Sequence, residues 1–188
     1  MDSLLNLDRE LFLWLNGLGI PLFDSFWMMM TNKLTNVVVY LTTALYFYRK
    51  TSLKEFLGVL VLVALLILAT DQTTNLFKYQ FGRLRPCHDP DISHLVRLVK
   101  SSCGGKFSFF SGHASNSFAL ASFFSLLMRP YLRKLSYFLF FIAGLIAYSR
   151  VYIGVHFPLD ILVGSSVGTL IGILFFRFWE TLIQSRLR

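Results

Sequence analysis

The chain has 188 residues and a formal net charge of +8; 55% of its residues are hydrophobic, 15% are charged, and its mean hydropathy is +0.59. A soluble domain carries about 25% charged residues, so the composition excludes an ordinary water-soluble globule; the length suits one membrane-embedded domain, 1–188. The basic residues fall in short groups between apolar runs, which suits anionic lipid headgroups, and no nucleic-acid partner is expected.

In the first sixteen residues, Leu4, Leu5, Leu7, Leu11, Phe12 and Leu15 cluster by helical spacing, with Asp8, Arg9 and Asn16 elsewhere. This predicts an amphipathic helix lying in the interface within 1–21. Pairing with the next segment as a sixth span is the alternative, disfavoured because Gly17, Gly19 and Pro21 break the run. No basic n-region precedes an apolar core, so no cleavable signal peptide is expected and insertion would rely on the spans. Residues 22–48 give a weak span, interrupted by Thr31, Asn32, Lys33 and Asn36. Residues 56–69 are apolar without a break; extended over 53–78 they predict a long helix whose far end turns polar, from Thr70 and Asp71 to Asn75. After a hydrophilic segment, 118–128 (entered from Gly112), 135–148 and 159–179 are further spans, a helix needing about 20 apolar residues to cross. The fold class expected is an all-α integral membrane protein, with five or six transmembrane helices and an N-terminal amphipathic helix. The many Phe, Tyr and Trp fit lipid-facing surfaces and interfacial belts, and no cofactor is expected.

Three basic groups lie on one side of these spans: Arg49, Lys50 and Lys54; Arg129, Arg133 and Lys134; and the tail with Arg186 and Arg188. The positive-inside rule makes that side cytoplasmic and turns 82–110 and 150–157 outward, as in a bacterial-type inner membrane. The outer segments also carry Arg83, Arg85, Arg97, Lys100, Lys106 and Arg150, so the rule holds only if these have another task. Cys87 and Cys103 share the outer loop, where an oxidising compartment permits a disulfide; two free thiols are the alternative.

Four span ends converge on the outer face. Lys78 ends one, Ser111-Gly112-His113 opens the next, Ser149-Arg150 ends another, and His156 with Asp160 opens the last. Arginine offers a planar fork that fits phosphate oxygens, lysine a point charge, and a helix start with a glycine brings free amides close to an anion. Any one of Lys78, Arg85 and Arg150 alone would equally read as a cation snorkelling from a helix end; together, beside two histidines, they read as a phosphate grip. A neutral imidazole can attack phosphorus and a protonated one can donate to the leaving oxygen. Asp160, one turn after His156, can fix its tautomer. His88 and His94 lie on the same side without compact ligand spacing, and no metal is expected. Asp71, an acid within a span, is expected to brace Lys78 or another cation.

The pattern resembles the type 2 phosphatidic acid phosphatases, membrane lipid phosphatases related in their core to vanadium haloperoxidases. The family's first motif, Lys, six residues, Arg-Pro, matches Lys78 and Arg85-Pro86; its third, Ser-Arg, five residues, His, three residues, Asp, matches Ser149-Arg150, His156 and Asp160. In its second, Pro-Ser-Gly-His, Phe110 replaces the proline before Ser111, Gly112 and His113. The resemblance implies a catalytic core over 53–176, with His156 as nucleophile, Asp160 orienting it and His113 as general acid. It also implies phosphate binding by Lys78, Arg85, Ser111, Gly112 and Arg150, and no metal. The choice of His156 over His113 as nucleophile rests mainly on the resemblance.

The expected activity is hydrolysis of a lipid phosphate monoester or pyrophosphate at the outer face, through a phospho-histidine. Undecaprenyl pyrophosphate and a lipid A phosphate stand ahead of phosphatidylglycerol phosphate and phosphatidate as substrates. A vanadate-dependent haloperoxidase is disfavoured because those relatives are soluble. A lipid-phosphate or anion transporter is disfavoured because its anion-handling residues would occupy both faces.

Overall fold

The computed structural model describes residues 2–187, in which the regular secondary structure is helical: α1 (Asp2–Gly17), α2 (Asp24–Met30), α3 (Lys33–Tyr48), α4 (Leu53–Phe81), α5 (Gly112–Met128), α6 (Leu135–Tyr152) and α7 (Pro158–Leu187). Local chemistry sets the ends. α4 starts at a capping box, in which Ser52 accepts the Glu55 amide and Glu55 reaches back 2.9 Å to the Ser52 amide. It stops at Gly82, whose φ of 59° is the left-handed cap that glycine adopts without steric cost.

α5 is the central helix, packed against α4, α6 and α7. Its closest neighbour is α7, where Gly164, Gly168 and Gly172 recur every fourth residue. A Cβ on Gly168 would stand 2.1 Å from the Ser115 carbonyl oxygen, and one on Gly172 2.3 Å from that of Ala119. Such small-residue seams let helices approach where lipid offers no hydrophobic drive for association. This seam lays the start of α5 against the start of α7, and the Ser111 amide donates to the Asp160 carbonyl at 3.1 Å. Two of the predicted site segments are therefore brought together by helix packing.

The protein is an integral membrane protein. Among the described residues, α4, α6 and Pro158–Leu182 of α7 are each long and apolar enough to cross a bilayer; Ser3–Gly17 with Pro21–Met30 reach that standard only as a pair bent by 86°. The expected five or six spans thus reduce to three or four by this measure, because α3 and α5 have only 16 and 17 residues. The weak span over 22–48 is two helices: Thr31 closes α2, and the Asn32 side chain caps α3 by accepting the Leu34 amide at 3.0 Å.

α1 departs from the expected interfacial helix in what its polar face does. Leu4, Leu7, Leu11 and Trp14 point outward, while Asp8, Phe12 and Asn16 are buried against the bundle. Asn16 donates to the Tyr152 carbonyl at 2.9 Å and accepts from the Arg97 amide at 2.8 Å, and Phe12 meets Phe157 edge-on. The helix is amphipathic, but its polar residues Asp8 and Asn16 are bonded inside the protein, while Ser3, Asn6 and Glu10 stay exposed. Arg186 and Arg188 of the basic tail lie outside the residues whose side chains are described.

Candidate active site

A cleft of about 350 Å³ opens among α3, α4 and α5, at the end of the bundle where α4 and α6 finish and α5 and α7 begin. Lys78, Arg85, Gly112, His113, Arg150 and His156 all line it. Ser111 does not: it is fully buried behind the cleft, its hydroxyl capping the Ala114 amide at 3.4 Å. The start of α5 leaves the Gly112 and His113 amides without intrahelical acceptors. Gly112 packs against Thr74 on α4, 3.3 Å from where its Cβ would be.

The loop between α4 and α5 aims Arg85. Its Nη1 donates to the Cys103 carbonyl at 2.7 Å and its Nε to the Phe107 carbonyl at 3.2 Å, which leaves Nη2 for the cleft. Cys87 and Cys103 are disulfide-bonded in the structure, with Cα atoms 6.1 Å apart, so the bridge fastens the carbonyl that holds Arg85. Burial lowers the Arg85 pKa and Asp160 acts against that shift; an arginine keeps its charge through such a change. Arg150 donates through Nη1 to the Thr31 hydroxyl. Its buried Nε has no partner among the described residues.

His156 sits in the turn between α6 and α7, fully buried except where it meets the cleft. Its Nδ1 stands 3.3 Å from Asp160 Oδ2, which also accepts the Phe157 amide at 2.9 Å. An ionised carboxylate only accepts, so this contact places the ring proton on Nδ1 and leaves Nε2 its lone pair. Burial, then the fields of Arg150, Arg85 and Lys78, hold the His156 pKa well below its ordinary value. These favour the neutral imidazole.

Sequence reasoning missed the support behind this pair. Arg83 Nη1 donates to Asp160 Oδ1 at 3.1 Å and Nη2 to Asp8 Oδ2 at 2.6 Å, with its guanidinium 4.0 Å above the Phe157 ring. Asp8 in turn accepts the Leu159 amide at 2.8 Å. The ladder runs Asp8, Arg83, Asp160, His156 and ties α1 to the cleft. From the sequence, Arg83 read only as one outward cation and Asp8 as part of a helix's polar face; a pairing across 75 residues leaves no local signal. Asp71 is also placed differently from expectation. Its partner is the Asn116 amide at 2.8 Å, with Asn116 in turn accepting from Thr70, and no ion pair joins it to Lys78. In the loop between α4 and α5, Asp89 and Asp91 pair with Arg9, and Arg97 pairs with Asp24 at 2.6 Å. These charges hold α1 and α2 in place instead of standing free for a headgroup.

Membrane-crossing helices around a cationic cleft, with two imidazoles and a carboxylate behind one of them, define a membrane enzyme of phosphoryl chemistry. The PAP2 superfamily model matches residues 56–184: the chain belongs to that family and is a phosphatase. It is 38% identical over 173 residues to a lipid A 4'-phosphatase of Porphyromonas gingivalis, covering 92% of this chain and 72% of the relative. A lipid A 4'-phosphatase of Bacteroides thetaiotaomicron is 36% identical, over 94% of this chain and 78% of its own. The crystal structure of a transmembrane PAP2-type phosphatidylglycerolphosphate phosphatase from Bacillus subtilis shares the fold, with a TM-score of 0.73 at 23% identity, over 96% of this chain and 88% of that one.

Proposed function

We propose that the protein removes a phosphate monoester from a lipid through a phospho-His156 intermediate, and that the lipid is an acylated sugar phosphate of the lipid A kind. In this reading Lys78, Arg85, Arg150 and the Gly112 and His113 amides hold the phosphate oxygens, with Ser111 fixing the start of α5 behind them. Nε2 of His156 attacks phosphorus, and the Nδ1 proton stays on the bond to Asp160 as the ring gains positive charge. The bond from phosphorus to the lipid oxygen breaks, and His113 gives that oxygen a proton. Water then attacks the phospho-histidine, passing a proton back to His113; orthophosphate leaves and His156 returns neutral. No step requires a metal ion.

The observation that carries the reading is the His156–Asp160 contact at 3.3 Å, backed by Arg83, beside a cleft lined by Lys33, Lys78, Arg85 and Arg150. The two lipid A 4'-phosphatases among its relatives support the sugar phosphate over a polyprenyl pyrophosphate. The free basic residues gathered at the opposite end of the bundle support an outward-facing site in an inner membrane.

Phosphate release by the purified full-length protein in detergent, with chelator present, tests the mechanism. Release from lipid A that His156→Ala abolishes is the expected result, together with acid-labile phosphate trapped on the wild-type protein after a quench. Release that survives His156→Ala would overturn the phospho-histidine route.

A further inference from the structure

Below the phosphate grip the cleft changes character twice. Asp71 stands seven residues before Lys78 on α4, about 10 Å along the helix axis at 1.5 Å per residue. It bonds Asn116 of α5, and Asn36 of α3 and Thr74 of α4 line the same stretch. Deeper still the lining turns apolar, with Val37, Ile67 and Leu120. The cleft thus has a cationic head, a polar neck and an apolar base, graded as an amphiphile is.

The neck lies where α4 passes from its apolar run to its polar end, and an ionisable residue in a membrane helix ordinarily faces a partner, a pathway or a ligand. Helix-to-helix bonding alone does not account for it. Asp71, which lines the cleft, accepts from Asn116 through Oδ1, and no hydrogen bond to its Oδ2 is present among the described residues. Thr74 is 3% exposed, and neither its Oγ1 nor Asn36 Oδ1 has a partner among the described residues. Buried polar groups are ordinarily bonded. The Asp71 and Asn36 oxygens accept and the Thr74 hydroxyl can accept or donate, so the stretch is weighted toward acceptors and suits donors on what enters.

We propose that the Asp71–Asn116 pair, with Asn36 and Thr74, is a specificity subsite that reads hydroxyl or amide N–H donors on the leaving group, one sugar ring away from the phosphate. This rests on the lipid phosphatase reading above and narrows its substrate class. A sugar phosphate carrying N- or O-linked acyl chains presents such donors between its phosphate and its tails. Phosphatidate presents only ester acceptors there, and a polyprenyl phosphate presents only hydrocarbon.

The test compares kcat/KM of the full-length protein for two lipids in the same micelles: an acylated glucosamine phosphate and dioleoyl phosphatidate. Wild type favours the sugar lipid. In Asp71→Leu and Asn116→Leu the ratio of sugar lipid to phosphatidate falls by about 10- to 100-fold, the loss expected when a bound donor is left without its acceptor. Asp71→Asn keeps the shape and the Asn116 contact, lowers the ratio less, and carries the test if the leucine variants do not fold. Equal loss on both lipids would overturn the proposal in favour of a bracing role. So would an unmoved ratio, or a wild type that favours phosphatidate. Absence of His156-dependent release from either lipid would sink the phosphatase mechanism itself, whereas release with an unmoved ratio would sink the neck alone.

Discussion

The arginines of the cleft end and the basic loops of the other end are used differently. At the cleft end, Arg9, Arg83 and Arg97 form ion pairs, Arg85 is held by two carbonyls, and Arg150 by a hydroxyl. At the other end Arg49, Lys54, Arg129, Arg133 and Lys134 are exposed, and none has an ion pair among the described residues. The difference teaches that the positive-inside rule should be applied to free charge. Of the cations that stood as exceptions to it, the arginines have partners inside the protein, whereas Lys100 and Lys106 form no ion pair among the described residues.

Two large effects would sharpen this comparison. Arg150→Ala should lower kcat/KM by about a thousandfold, as removal of a preorganised charge at a reacting phosphate does. Arg150→Lys should recover little, because a point charge does not replace the fork. A loss under tenfold in a phosphate-release assay would place Arg150 among the snorkelling cations instead. Next, reduction of the Cys87–Cys103 bridge, sixteen residues apart, should destabilise the loop by about 3 kcal/mol on the chain-entropy model. The melting midpoint falls with reductant, and KM for the lipid rises as Arg85 loses the fastened Cys103 carbonyl. An unchanged midpoint in Cys87→Ser with Cys103→Ser would remove the bridge from the account of the site.

Much of the site was legible because its chemistry is written in short local spacings. Lys78 to Arg85, Ser111 to His113, and Arg150 through His156 to Asp160 each lie at or near a helix end, and alternating spans put those ends on one face. Helix count was less legible, since hydropathy runs through Thr31 and Asn32 although a capping asparagine splits the run there. Least legible were contacts between distant polar residues. Asp8 and Asn16 read as the wet side of a surface helix, and only the packing of α1 on α6 and α7 turns that side inward. The fate of Asp71 was hidden for the same reason: its partner Asn116 is on another helix.

The ladder behind the nucleophile gives an intermediate effect. Arg83 touches neither the cleft lining nor His156, so it acts as a positioning residue through Asp160. Arg83→Ala leaves Asp160 and Asp8, both buried, without their cation. We expect kcat to fall by about 10- to 100-fold with KM little changed, the scale measured when a supporting partner of a functional group is lost. Arg83→Lys should restore part of it. A fall in KM and kcat together would instead mean that the loop carrying Arg85 had moved.

The smallest effect is expected where the comparison says the cations are free. Arg129, Arg133 and Lys134 lie between α5 and α6, at the opposite end of the bundle from the cleft. Changing all three to Gln should leave kcat/KM in detergent within about twofold, as exposed charges away from a site usually do. In the membrane the same variant should behave differently, because these residues supply free positive charge to a short loop, and loop charge biases orientation. Intact vesicles given a membrane-impermeant phosphate substrate report the share of molecules with the cleft outward, and detergent then reports the total. For wild type the two rates should nearly agree; for the triple variant the intact-vesicle rate should drop while the total holds. If the total drops instead, the far end contributes to folding or to the cleft, and the two ends are not independent. If neither rate moves, orientation is set elsewhere in the chain, with the Arg49–Lys50–Lys54 loop the next to neutralise.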